Sequence, residues 1–147
     1  MAEIVEGDIT DVTNGIIMHQ VNCQNRIGAG VSGAIIKKYP LVEKVYHDSF
    51  NNYLNKQLFC SIMYIPINDN LTVVNSYTQF YYGNSSKTGI VYTDMDSLKK
   101  AIHSVCNKNI NIPVYVPYGI GCGLAGGNWN DLYLSIKDIP NLKIVKY

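Results

Sequence analysis

Residues 112–129, IPVYVPYGIGCGLAGGNW, carry three signals in a fixed order. A short apolar run at 112–116 reads as a strand buried on both faces. Gly119, Gly121, Gly123, Gly126 and Gly127 then break it, and Asn128-Trp129 opens a helical pattern. A strand, a glycine loop and a helix start together gather unpaired backbone N–H groups around an anion. Glycine at alternate positions also lets the main chain approach a ligand with no Cβ between them. A shorter loop of the same kind, Gly28-Ala29-Gly30, follows the apolar run GIIMHQV at 15–21. Two such loops predict a ligand with two phosphates, or one pyrophosphate held from both sides. The plainer alternative is a pair of tight turns.

The other segments fall around these two loops. Residues 2–6 read as a first strand ended by Gly7-Asp8, and 15–21 as a buried parallel strand. A short helix opens at 31–38, and Tyr39-Pro40 interrupts it before a second helix at 41–54. Residues 58–65 and 71–77 are strand-like, joined by a polar turn. The aromatic and then Gly/Ser-rich stretch 80–89 is expected to be a loop over something. Thr93 and Asp96 have the spacing of a capping box for a helix through residue 107, and Asn128 and Asp131 look like another cap pair. Residues 142–147 close the chain as a last strand. Strands alternating with helices predict a three-layer α/β/α fold, with a mixed, mainly parallel central sheet of about six strands in one domain, 1–147. In such sheets ligands sit at the carboxyl ends of the strands. Asp8, Asn22, the Gly28 loop, Ser76-Tyr77 and the Gly119 loop all fall at such ends.

Composition removes several classes of function. The net charge is +1 and no basic run exceeds a lysine pair, which argues against a nucleic-acid surface despite twelve tyrosines. Cys23, Cys60, Cys106 and Cys122 show no CxxC pairing and no histidine at ligand spacing, so free thiols are expected, with no metal. No cofactor is expected either. With no signal-like N-terminus and no long apolar span, the chain reads as cytoplasmic.

GDIT at 7–10, IMHQVN at 17–22, GAGVSGAI at 28–35 and YGIGCGL at 118–124 resemble, in this order, the signature of a macrodomain. The resemblance covers essentially the whole chain. By His19 and the GCGLAGGNW form of its second loop, the chain is most similar to small phage and bacterial members, near the yeast-type ADP-ribose-1''-phosphatases. What the resemblance implies is an ADP-ribose-binding fold, in some members a hydrolase. Asp8 would accept a hydrogen bond from the adenine amino group, with Ile9 beside it. Asn22 would hold the distal ribose. Gly28, Ala29, Gly30, Val31 and Ser32, with Gly119, Ile120, Gly121, Cys122, Gly123 and Leu124, would wrap the pyrophosphate. Ser76 and Tyr77 would border the ligand. The implied partners are ADP-ribose, ADP-ribose-1''-phosphate or an ADP-ribosylated protein, bound by a monomer.

The departures from the family pattern bear on chemistry. Members that cleave mono-ADP-ribosyl esters often carry Asp in GGGVD, where this chain has Ser32. Another branch uses a Lys at the end of the fourth strand and an Asp after the second loop; here those regions read Asn75-Ser76-Tyr77 and Ala125-Gly126. His19 remains, matching the histidine that the phosphatase branch carries before its Asn. Three readings follow. The first is a phosphatase or ADP-ribosyl hydrolase with His19 as base or nucleophile and Asn22 placing the distal ribose. The second is a non-catalytic reader of ADP-ribose or a related nucleotide. The third is a binder of another dinucleotide, which the missing GxGxxG disfavours. For His19 a satisfied core histidine is an equal alternative, for Asn22 a loop tie, and for Cys122 packing under the loop rather than nucleophilic attack. Tyr77, Phe80, Tyr81 and Tyr82 either cover the ligand or pack at a strand end.

Overall fold

The apolar run after Gly15 forms the central strand, β2 (Gly15–Asn22), of a six-stranded sheet in a computed structural model that describes residues 1–147. Around it the chain lays down β1 (Glu3–Glu6), a 3-10 turn (Ile9–Asp11), α1 (Gly30–Lys38), α2 (Pro40–Asn52), α3 (Asn55–Leu58), β3 (Ile62–Pro66), β4 (Leu71–Gln79), α4 (Ser85–Thr88), α5 (Met95–Lys108), β5 (Val114–Pro117), α6 (Trp129–Ile136) and β6 (Leu142–Lys146). The strand order is β1-β6-β5-β2-β4-β3, and only β3 runs antiparallel to its neighbour.

Period-two alternation in β2 splits the core between the faces of the sheet. Ile16 and Met18 pack with Leu98, Ile102 and Val105 of α5 and Leu132 and Ile136 of α6. Ile17 faces the other way, onto Ile35 of α1 and Val42 of α2. Each fully buried leucine, isoleucine or valine on these helices stabilises the fold by about 1.5–3 kcal/mol relative to exposure. The same alternation sends His19 toward α1 and Gln20 toward α5, with consequences for the site.

Two local expectations shift. Leu58, expected to begin the third strand, instead ends α3, whose first turn closes where the Gln57 side chain accepts from Leu54 N–H at 2.7 Å. The strand starts only at Ile62, after Cys60 at φ 68°. The cap of α5 is Asp94, whose carboxylate accepts from Ser97 N–H at 2.9 Å, rather than Thr93. Asn128 does cap α6, accepting from Asp131 N–H at 3.1 Å. The stretch after β4 is partly ordered into α4, with Asn84 as its cap. No helix is long and apolar enough to cross a membrane.

The seam between β2 and β5 makes room for a ligand. Their ladder pairs Ile16 with Val114 and Ile17 with Tyr115, and goes no further. Beyond it β2 continues along β4 while β5 continues along β6, so the two strands part at their carboxyl ends. The chain leaves β2 for α1 on one face and β5 for α6 on the other. This is the strand-order switch at which open α/β sheets bind ligands.

Candidate functional site

A cleft of about 670 Å³ opens at that seam, within the range of about 300–1,000 Å³ usual for small-molecule sites. Its walls are the two glycine loops, at 26–32 after β2 and 117–125 after β5, and a third side comes from Gln79 and residues 82–84 after β4. None of the lining residues is Asp, Glu or Lys, and Arg26 is the one permanent cation.

The first loop delivers a helix N-terminus without a side-chain cap. Ala29 occupies the N-cap position of α1 and has nothing to accept with, unlike Asp94 and Asn128 at α5 and α6. The first-turn N–H groups of Gly30, Val31 and Ser32 therefore lack an intrahelical or capping acceptor, and the helix dipole adds partial positive charge. The loop sits tight on its helix because Gly33 has no side chain: a Cβ there would run into the Gly28 carbonyl. Opposite, the N–H groups of Gly119, Gly121, Gly123 and Leu124 donate to no protein acceptor, while those of Ile120, Cys122, Gly126 and Gly127 close the turns.

Gln20 and Thr93 hold the second loop in place. Thr93 Oγ1 donates to the Gly121 carbonyl at 2.5 Å and accepts from Gln20 Nε2 at 2.9 Å. Gln20 Nε2 also donates to Gln79 Oε1 at 2.9 Å, and its Oε1 accepts from Thr78 at 2.7 Å. On the other face of β2, His19 is only 1% exposed, and both ring nitrogens are engaged. Nδ1 lies 2.8 Å from Ser32 Oγ and Nε2 lies 2.6 Å from Asn75 Oδ1. His19 and Asn75 are register partners across β2 and β4. Burial pushes the imidazole down to about 4, against a smaller upward pull from the Asn75 hydrogen bond. At neutral pH the ring is uncharged and weakly basic.

Neither a family model nor a curated protein sequence matches the chain. Solved structures do match over its whole length. A protein of unknown function from Bacteroides thetaiotaomicron superposes with a TM-score of 0.84 at 24% identity, covering 100% of this chain and 98% of that one. A macrodomain protein from Streptomyces coelicolor gives 0.75 at 18% identity, covering 100% and 99%. Thermosipho africanus DarTG in complex with ADP-ribose gives 0.72 at 17% identity, covering 99% of this chain and 42% of that one. This chain has the macrodomain fold.

Within this macrodomain fold, His19, Asn22, Gly28, Ala29, Gly30, Val31, Ser32, Gly119, Ile120, Gly121, Gly123 and Leu124 all border the cleft. The other candidates lie elsewhere. Ser76 and Tyr77 do not reach it: both are 0% exposed, Tyr77 packed against Tyr46 and hydrogen-bonded to Ser49 at 2.9 Å. Cys122 points under the loop, where its thiol donates to the Ile120 carbonyl at 3.3 Å and burial pushes it up to about 11, so it is no nucleophile. Ile9 is a core residue on the α1 side, and Asp8 lies outside the cleft wall. Asp8 Oδ1 accepts from both Thr10 N–H and Thr10 Oγ1, which lowers its pKa, while Oδ2 has no protein donor.

Two of the groups expected to do chemistry are engaged by the protein itself. His19 has no free ring nitrogen with which to activate water or attack phosphorus. The Asn22 amide ties its own loop, with Oδ1 accepting from Gln24 N–H and Tyr46 OH, both at 2.9 Å, and Nδ2 donating to the Arg26 carbonyl at 2.6 Å. Sequence reasoning passed over Arg26, whose guanidinium lies 5.1 Å from the Tyr82 ring centroid and donates to its hydroxyl at 3.2 Å. A signal was present: Arg26 is the only arginine among the chain's twelve basic residues. Gln20, Asn75 and Gln79 carried no comparable mark, whereas Tyr82, one of the aromatics expected to cover the ligand or pack at a strand end, lines the cleft. No group of three or more His, Cys, Asp or Glu side chains is placed to hold a metal ion.

Proposed function

We propose that this chain binds ADP-ribose or a close derivative in the cleft, with the diphosphate between the two glycine loops. The observation that carries this reading is the facing of unpaired N–H groups from the α1 N-terminus and the second loop across a cavity with no carboxylate. Such a site favours anions. Arg26 adds the planar fork suited to phosphate. The order of the strand ends supports a ligand lying along the sheet edge. Asp8 follows β1 at one end, the two loops follow β5 and β2 in the middle, and Tyr82 follows β4 at the far end. An adenine near Asp8 Oδ2, a central diphosphate and a distal ribose near Arg26 match that order. The ADP-ribose complex among the structural neighbours supports the choice of ADP-ribose. Calorimetry tests it: ADP-ribose binds one-to-one and more tightly than NAD or ADP. Equal binding of NAD overturns the reading.

A second reading, hydrolysis at the 1'' position, follows from the likeness of His19 to the histidine of the phosphatase branch, with both of its ring nitrogens engaged in this structure. Release of phosphate from ADP-ribose-1''-phosphate separates an enzyme from a reader. No release leaves the chain a reader.

A further inference from the structure

We propose that Ser32 reads a hydroxyl of the bound sugar, acting toward the cleft as an acceptor only, because His19 and Asn75 hold its proton inward. The proposal rests on the ADP-ribose reading and names which protein group addresses the sugar.

The argument counts protons. Asn75 Oδ1, a carbonyl oxygen, lies 2.6 Å from His19 Nε2 and can only accept, so Nε2 carries the ring proton. Asn75 is fully buried and its own Nδ2 finds no partner, so the amide's one hydrogen bond in this chain is the one that sets the His19 tautomer. Burial keeps the ring neutral, and a neutral ring protonated at Nε2 offers Nδ1 as an acceptor. Ser32 has a single hydroxyl proton. Two acceptors compete for it, His19 Nδ1 at 2.8 Å and the Gln20 carbonyl at 3.2 Å, and both belong to β2. Whichever takes it, the proton is committed to the strand, and Oγ presents only lone pairs to the cavity that Ser32 lines.

That polarity contrasts with the donors that the two loops and Arg26 present. The backbone N–H groups of both loops and the Arg26 guanidinium are all donors, matched to phosphate oxygens. Ser32 Oγ sits among them in the first turn of α1 as an acceptor, matched to an O–H. A phosphate oxygen placed on it would meet lone pair against lone pair. A ligand joining a diphosphate to a hydroxylated sugar satisfies both kinds of group. A bare nucleoside diphosphate leaves the acceptor unused. Because proton transfer from Ser32 would create a buried imidazolium, the serine serves as a hydrogen-bonding and specificity group, with His19 and Asn75 as its positioning residues.

Two measurements test this. Nitrogen NMR of the free protein should show His19 protonated at Nε2 and bare at Nδ1 at neutral pH; the opposite tautomer, or a charged ring, overturns the proposal without touching the ligand reading. Calorimetry then compares ADP-ribose with ADP, which lacks the second ribose, on wild type and Ser32→Ala. The substitution should weaken ADP-ribose about three- to tenfold, the range of one neutral hydrogen bond, and ADP less than about twofold. Equal losses for both ligands, or none for either, overturn the proposal alone. A wild type that fails to prefer ADP-ribose over ADP overturns both it and the ligand reading.

Discussion

Replacing His19 by Gln should remove a pH dependence of stability that folding itself creates. His19 is buried to 1% exposure, and its pKa falls from 6.5 to about 4 in the folded chain. In the unfolded chain it takes up a proton near its ordinary value. Between these two values the unfolded state holds more protons, so stability falls as the pH falls. The contribution is fully present above about pH 6.5 and fully lost below about pH 4. At 1.36 kcal/mol per pKa unit the whole shift corresponds to about 3 kcal/mol, of which about 2.5 kcal/mol is lost between about pH 7.5 and about pH 4.5. Urea unfolding of wild type should therefore lose about 1–2 M of midpoint over that range beyond any loss shared with the variant, taking usual m-values for a domain of this size. His19→Gln cannot titrate, and its carboxylates are the same as in wild type. The difference between the two pH profiles isolates the imidazole, even though the variant starts from a lower stability. If the two profiles run parallel, His19 keeps an ordinary pKa, and the buried Ser32–His19–Asn75 arrangement is refuted.

Other substitutions separate the loops from their supports. Gly123→Ala, with no protein atom within 4 Å of its Cβ, should leave the melting temperature unchanged and weaken ADP-ribose about tenfold or more if that loop holds the diphosphate, as calorimetry would show. Gly121→Val should act by another route: its Cβ meets Leu98 at 2.8 Å, Gln20 at 3.0 Å and Thr93 at 3.1 Å, at φ +72°, so thermal unfolding should report a loss of stability before any loss specific to the ligand. Arg26→Gln should cost about tenfold in ADP-ribose affinity at low ionic strength and less at high salt, and a salt-independent effect would remove Arg26 from phosphate binding. Asp8→Ala should reduce the preference for ADP-ribose over its hypoxanthine analogue about ten- to hundredfold; an unchanged preference would count against adenine recognition by Asp8.

The backbone plan was legible because it rests on short-range patterns. The GIIMHQV run could only be a strand covered on both faces, and its alternation already put His19 and Gln20 on opposite sides. The two glycine loops announced themselves by composition. What the alternation could not supply was the partner waiting on each side. Asn75 meets His19 through strand register, set by the antiparallel addition of β3 and the crossover to β4, which is a property of topology and not of any local motif. Thr93 looked like a helix cap because its spacing to Asp96 fits one. Its hydroxyl is instead drawn to Gly121, a contact between residues 28 positions apart, and Asp94 caps the helix. Ser76 and Tyr77 were placed at a strand end by counting, but β4 runs on to Gln79, so the residues that reach the cleft come later. Arg26 sits just ahead of the Gly28 loop, where the glycines and not the arginine carried the pattern.

The short ladder between β2 and β5 divides the sheet into two three-stranded halves, β1-β6-β5 and β2-β4-β3, stitched together only at one end. A ligand seated in the fork takes hydrogen bonds from a loop of each half, and so acts as a splint across a seam that the backbone leaves open. Stiffness then comes from outside the chain: the empty molecule should flex by opening and closing this fork, and the filled one should not. Hydrogen exchange at Ile16, whose amide donates to the Pro113 carbonyl across this seam, would register that stiffening at a position no ligand atom touches.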